Sequence, residues 1–211
     1  MLGLPSTTEI RKQLPKMTLI QKFNLTSEEC RLIGTNFSRL ELVHQISPQT
    51  IPALAPGAEV KGIYVLKVSL KVRNYDERAA NLILRLIHQK VVLYLSFEEE
   101  ARLVVLHDKL LSSPWRLETT WNDAHLINLE GSDLDAVWLN FIRQISGVIL
   151  DQDYELTKET LSNALRAHEL NEKQKKEIER LEKTLHTEKQ PRQKFKLHQE
   201  INKLKRQLSI D

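Results

Sequence analysis

Glu59-Val60-Lys61 and a polar cluster between Trp121 and Asp135 are the two places where residue types and spacing could do chemistry. The first has the Glu-x-Lys form found at the end of many nuclease metal sites. A Mg²⁺ nuclease also needs an upstream acid on a neighbouring strand to complete its oxygen ligands. No aspartate precedes Asp76, so the set is incomplete. In the second stretch Trp121, Asn122, Asp123 and His125 are followed by Glu130, Asp133 and Asp135. Histidine with carboxylates can bind metal or move protons. The same carboxylates suit helix caps, and His125 suits a loop. His44, His88, His107, His168, His186 and His198 show no two-ligand helical spacing backed by a third group. Phosphate loops, dinucleotide fingerprints, nucleophile elbows and helical zinc-protease motifs are absent, and six glycines offer little for a backbone phosphate cradle. The expectation is no assigned catalytic residue, no metal and no cofactor.

A third stretch could bind rather than react. Lys189, Arg192, Lys194, Lys196, Lys203, Lys205 and Arg206 fall together with a single acid, Glu200. That segment is net +6 within a chain of net +3, which leaves the remainder at −3. Such asymmetry points to an acidic partner or to nucleic acid, against the plain reading of a solvated helix face. Only Phe195 is interleaved, so phosphates rather than bases would be the contact.

The elements that must position these residues follow from pattern. The chain, 41% hydrophobic and 28% charged, has the composition of a soluble globular protein. No apolar run approaches the roughly 20 residues that span a bilayer. The start, MLGLPSTTEIRKQLPK, lacks the apolar core of a secretory signal. One cysteine, Cys30, excludes an internal disulfide. A cytoplasmic protein is expected.

Ser6 or Thr7 could cap a short helix ending before Pro15. Ser27 reads as the cap of a longer one, SEECRLIGTNFSRLELVHQI, whose Leu32, Ile33, Phe37, Leu40 and Val43 have helical spacing. Period two from Val60 to Val72 predicts a half-buried strand. Asn74 with Glu77 predicts a helix to about Gln89. VVLYLSF and ARLVVLH around Glu98-Glu99-Glu100 predict a hairpin, and Trp115, Leu117, Thr119 and Trp121 a fourth strand. Ser132 with Asp135 predicts the start of a helix burying Leu134, Val137, Trp138, Phe141, Ile142 and Ile145. The order predicts an α+β fold, a mixed or antiparallel four-stranded sheet packed by helices, over residues 1–152.

Residues 153–211 read as a helical arm, with helices at about 154–188 and 192–209 broken near Pro191. Ile178, Leu181 and Leu185 mark one apolar stripe; Leu197, Ile201, Leu204 and Leu208 mark another. These could close a helical hairpin, or form a coiled coil or partner interface with another chain.

LGLPSTTEIRKQLPK, ISPQTI, LEGSDLDAVWLNFIRQI and TEKQPRQKFKLHQEINKLKRQL together resemble the bacterial proteins grouped as domain-of-unknown-function family 4391. The resemblance covers essentially the whole chain, with Leu129 to Ile145 and Glu188 to Gln190 its more specific parts. It implies no reaction and no catalytic residue. It implies a setting beside helicases and DNA methyltransferases of restriction or phage-defence type. On that basis the chain is expected to be an accessory subunit that docks such a protein and touches DNA through its basic arm. A divergent metal-dependent nuclease of the same system is the alternative, motivated by Glu59-Val60-Lys61 and the carboxylates from Asp123 to Asp135.

Overall fold

The computed structural model describes residues 2–123, 127–149 and 155–208. The chain divides into two compact units, Met1–Lys158 and Glu159–Asp211. In the first, a 3-10 turn at Ser6–Thr8 leads into β1 (Glu9–Gln13), α1 (Lys16–Phe23), α2 (Ser27–Asn36) and β2 (Phe37–Ile46). Then come β3 (Ile63–Leu70), α3 (Glu77–Leu86), β4 (Lys90–Phe97) and β5 (Glu100–Leu106). β6 (Leu110–Ser112), β7 (Arg116–Leu117), α4 (Glu118–Asp123) and α5 (Leu134–Ser146) complete it.

The strands lie in the order β1-β2-β3-β4-β5-β6, with β7 also pairing on β5. β3 and β4 are parallel and joined through α3; the other pairs are antiparallel. The class is α+β with a mixed sheet, but the sheet has seven strands instead of four.

One face of the sheet buries Leu40, Leu66, Val68, Leu93, Leu95 and Val104 against Ile33, Ala79, Ala80 and Ile83 of α2 and α3. Alternate residues Val65, Val92, Tyr94, Leu103 and Val105 turn to the opposite face and are buried as well. β3 is therefore covered on both sides, not half-buried, as a strand in a parallel pair must be.

The largest departure from expectation is at residues 27–46. α2 stops at Asn36, and Phe37 to Ile46 form a central strand. The register of β2 against β3 slips between Phe37 and Arg39 and again between Leu42 and His44. Each slip adds a residue to one strand, so buried Phe37, Leu40, Val43 and Ile46 recur every three residues instead of every two. Two bulges gave a strand the spacing of a helix.

Other corrections are local. The start of the chain forms the 3-10 turn and the exposed edge strand β1 rather than a helix. The strand expected at Trp115–Trp121 shrinks to the two residues of β7 before α4 begins. Trp121 sits on α4, its ring buried and its Nε1–H donated to the Ala101 carbonyl at 2.8 Å. Caps fall one or two residues from the expected positions. Thr26 caps α2 in a capping box with Glu29, Asp76 caps α3, and Asp133 caps α5.

His44 is 1% exposed and its Nδ1 lies 2.9 Å from Thr8 Oγ1. Thr8 donates its one hydroxyl proton to the Pro5 carbonyl at 2.7 Å, so His44 Nδ1–H is the donor to Thr8. Burial holds the ring's pKa down to about 4. An unfolded chain takes up this proton near pH 6.5. Stability is therefore complete above about pH 6.5 and declines as pH falls from there towards about 4. The midpoint of urea unfolding should drop across that window, and His44→Gln should flatten the drop.

The second unit is built by α6 (Lys158–Thr187) and α7 (Pro191–Leu208). Pro191 occupies the first position of α7, where a missing N–H costs nothing. Glu188 Oε1 accepts from the Lys189 and Gln190 backbone N–H groups at 2.8 and 2.9 Å in the link between helices. Ile178, Leu181 and Ile201 are buried together, with Leu185, Leu197, Leu204 and Leu208 packed on them. Lys205 Nζ reaches Glu182 Oε1 across the seam at 2.8 Å. The short link makes the pair an antiparallel helical hairpin. Truncating Ile201 to alanine should cost about 2–4 kcal/mol. Amide exchange in α7 should then approach that of a free chain, while exchange in β3 to β5 stays slow. No helix among the described residues is long and apolar enough to cross a membrane.

Candidate functional site

The structure gives each residue of the Glu-x-Lys stretch a partner. After the loop carrying Pro48, Pro52 and Pro56, the chain turns just before β3, and Gly57 N–H donates to the Val60 carbonyl at 3.1 Å. The Asp135 carboxylate from the first turn of α5 closes over this turn. It accepts from the backbone N–H groups of Ala58 at 2.6 Å, Glu59 at 3.2 Å and Val60 at 2.8 Å. An ideal Cβ on Gly57 would stand 2.5 Å from Asp135 Cγ, so the close approach requires glycine there. Burial raises the Asp135 pKa, but the three backbone donors, aided by Lys158, outweigh it and hold the carboxyl below its ordinary value. Lys61 Nζ donates to the Gly57 carbonyl at 2.7 Å, and Glu59 is ion-paired with Lys158.

The other two described carboxylates of the cluster are similarly engaged. Asp133 Oδ1 accepts from Ala136 N–H at 2.9 Å as the cap of α5, and Glu130 pairs with Arg143 at 2.9 Å. His125 lies outside the described residues, as do the side chains of Asn122 and Asp123. Among the described residues, no three His, Cys, Asp or Glu side chains gather to hold a metal ion.

A cleft of about 490 Å³ opens where β3 and β4 begin and β5 ends. Parallel register sets Ile63 beside Lys90, and antiparallel register sets Val92 beside Val105. Four elements thereby present one rim. Lys61 comes from the approach to β3, Arg85 and His88 from the end of α3, Lys90 from the start of β4, and His107 from just past β5. Lys90 Nζ lies over the Trp138 ring, 5.6 Å from its centroid. Glu59 is the acid of the lining, and Lys158 offsets it. Apart from Glu59 and Lys61, none of these residues belongs to a recognisable motif. Arg85, His88 and Lys90 are close in the chain, and strand register adds Lys61 and His107 to them.

A second polar group sits on the sheet face that bears Tyr94. Lys67 Nζ and Tyr94 OH both reach Glu118 Oε1, at 3.0 and 3.4 Å, with Lys67 over the Tyr94 ring. Burial, with the Glu118 charge, pushes the Tyr94 hydroxyl well up, so it acts as a neutral donor. This network ties α4 to β3 and β4.

On the hairpin, Arg192, Lys196, Gln199, Lys203 and Arg206 follow i, i+4, i+7, i+11 and i+14, one row along α7, and all are exposed. That row stands opposite the buried seam of Leu197, Ile201, Leu204 and Leu208. Lys194 and Lys205 lie towards the seam side, where Lys205 meets Glu182. Lys189 is exposed in the link between helices. The seven apolar residues considered for a partner interface face one another within this hairpin.

A model of the family described as a domain of unknown function (DUF4391) matches residues 2–208. No curated protein and no solved structure matches the chain.

Proposed function

Because the chain belongs to DUF4391, a family defined by a domain of unknown function, we propose a role from its own geometry. The protein is an accessory subunit of a DNA-processing assembly that holds duplex DNA by its phosphates. The observation that carries this reading is the outward row of α7. Arg192, Lys196, Lys203 and Arg206 lie along 14 residue steps of α7, about 21 Å of helix at about 1.5 Å per step. The apolar side of the same helix is consumed by α6, so the hairpin presents the row on its outer surface with the helix backbone already ordered. Such a row binds phosphates without reading bases. The genomic company that the family resemblance implies, helicases and methyltransferases, supports a partner of that type for the α+β domain.

Fluorescence anisotropy with a labelled duplex at several salt concentrations tests the DNA contact, and co-purification with a neighbouring helicase or methyltransferase tests the docking. A chain recovered alone where such partners assemble with one another, and without DNA affinity at low salt, would overturn the reading. Among the described residues, the carboxylates that motivate a nuclease as a second reading already have partners. The Glu59 carboxylate is engaged by Lys158 and that of Asp135 by three backbone donors.

A further inference from the structure

We propose that the cleft at the start of β3 and β4 binds a phosphomonoester of nucleotide size, at a site separate from the basic row of α7. Arg85, His88 and Lys90 reach it from the end of α3 and the start of β4, and the fold adds Lys61 and His107 from distant parts of the chain, so three cations and two imidazoles line one cleft. Three cations around one concavity give it a positive potential, and a cleft with low-dielectric walls focuses their field on an entering anion. Arginine offers a planar fork that matches phosphate oxygens, lysine a point charge, and the imidazoles further N–H donors. The carboxyl end of α3 sets partial negative charge nearby, which Arg85 in its last turn offsets.

Size decides the class of ligand. About 490 Å³ falls in the range of small-molecule sites and far exceeds one phosphate group. Leu84, Ile87, Val91 and Leu106 give the lining an apolar part beside Gln89, with Trp138 beneath Lys90, which suits an organic moiety attached to the phosphate. The cleft belongs wholly to the α+β unit, so this inference stands or falls independently of the DNA contact.

Isothermal titration of the full chain with AMP, inorganic phosphate and adenosine tests it. AMP should bind saturably with one site, inorganic phosphate more weakly, and adenosine without measurable heat. Arg85→Gln and Lys90→Gln should each weaken AMP by about tenfold or more, the loss of one charge-assisted contact. Arg85 is exposed on α3, so its variant should keep the thermal midpoint and remain interpretable. Neutralising Arg192, Lys196, Lys203 and Arg206 should leave AMP affinity unchanged. Absence of saturable AMP binding, equal affinity for AMP and adenosine, equal affinity for AMP and phosphate, or unchanged affinity in both cleft variants would each overturn the proposal.

Discussion

A variant with Arg192, Lys196, Lys203 and Arg206 all changed to glutamine should lose most of its affinity for duplex DNA at low salt. Each phosphate contact releases condensed counterions, so log K falls against log salt with a slope of about −0.9 per contact. Four contacts give a slope near −3.6, or about a 150-fold loss between about 50 and about 200 mM salt. The quadruple variant should flatten that slope towards zero and weaken low-salt binding by a comparable factor. Glutamine keeps helix propensity, so α7 should remain folded and its far-UV dichroism unchanged. Lys205→Gln is the informative contrast. Lys205 spends its charge on Glu182 across the hairpin and lies off the outward row, so its loss should change the slope by less than one contact. A quadruple variant with the wild-type slope would place the DNA contact elsewhere or remove it.

Asp135→Ala should destabilise the α+β domain by about 2–3 kcal/mol, because it strips a charged acceptor from three backbone donors. The cost is concentrated at Val60, which is buried and cannot turn its N–H to water, whereas Ala58 and Glu59 are exposed. Asp135→Asn should cost less, since its amide oxygen still accepts. The pH dependence has a definite sign. The folded carboxyl titrates below its ordinary value, so its contribution is present above about pH 4 and is lost as pH falls through the lowered folded pKa. This window lies below that of His44, and the two variants should therefore flatten different parts of one acid-unfolding curve. Gly57→Ala should mimic Asp135→Ala, because its Cβ would displace the same carboxylate. If urea midpoints of Asp135→Ala match wild type from pH 7 to pH 5, the carboxylate does not hold the turn.

How much was legible depended on how local the cause was. α5 was readable because its stripe and its acidic first turn both act within a few residues. Gly147 adopts φ 71°, the left-handed geometry glycine accepts, and stops the helix where the stripe stops. The hairpin of β4 and β5 was readable because two apolar runs flank a short turn in which Glu98 takes positive φ. β2 was not. Its apolar spacing arose from bulges against β3, and a bulge is a property of two strands, invisible in either one. β6 and β7 were obscured by length, since three and two residues carry too little pattern to separate from loop.

By itself the sequence determined the elements whose stabilising contacts are local: α3 and α5 to within a residue or two of their caps, the β4–β5 hairpin, and the two C-terminal helices interrupted at Pro191. It also determined that the C-terminal helix is basic, because charge is a property of composition. Only the tertiary structure decided what those residues do. It turned Asp135 from a cap or candidate ligand into the clasp of a turn some 75 residues earlier. It turned the apolar stripes of α6 and α7 inward on each other, leaving Arg192, Lys196, Lys203 and Arg206 as the outer face. It also brought Lys61 and His107 to the chain-local group Arg85, His88 and Lys90 through strand register. The physical reason is common to all three. A side chain's partners across the sheet or the hairpin seam are chosen by long-range packing, and no local pattern encodes them.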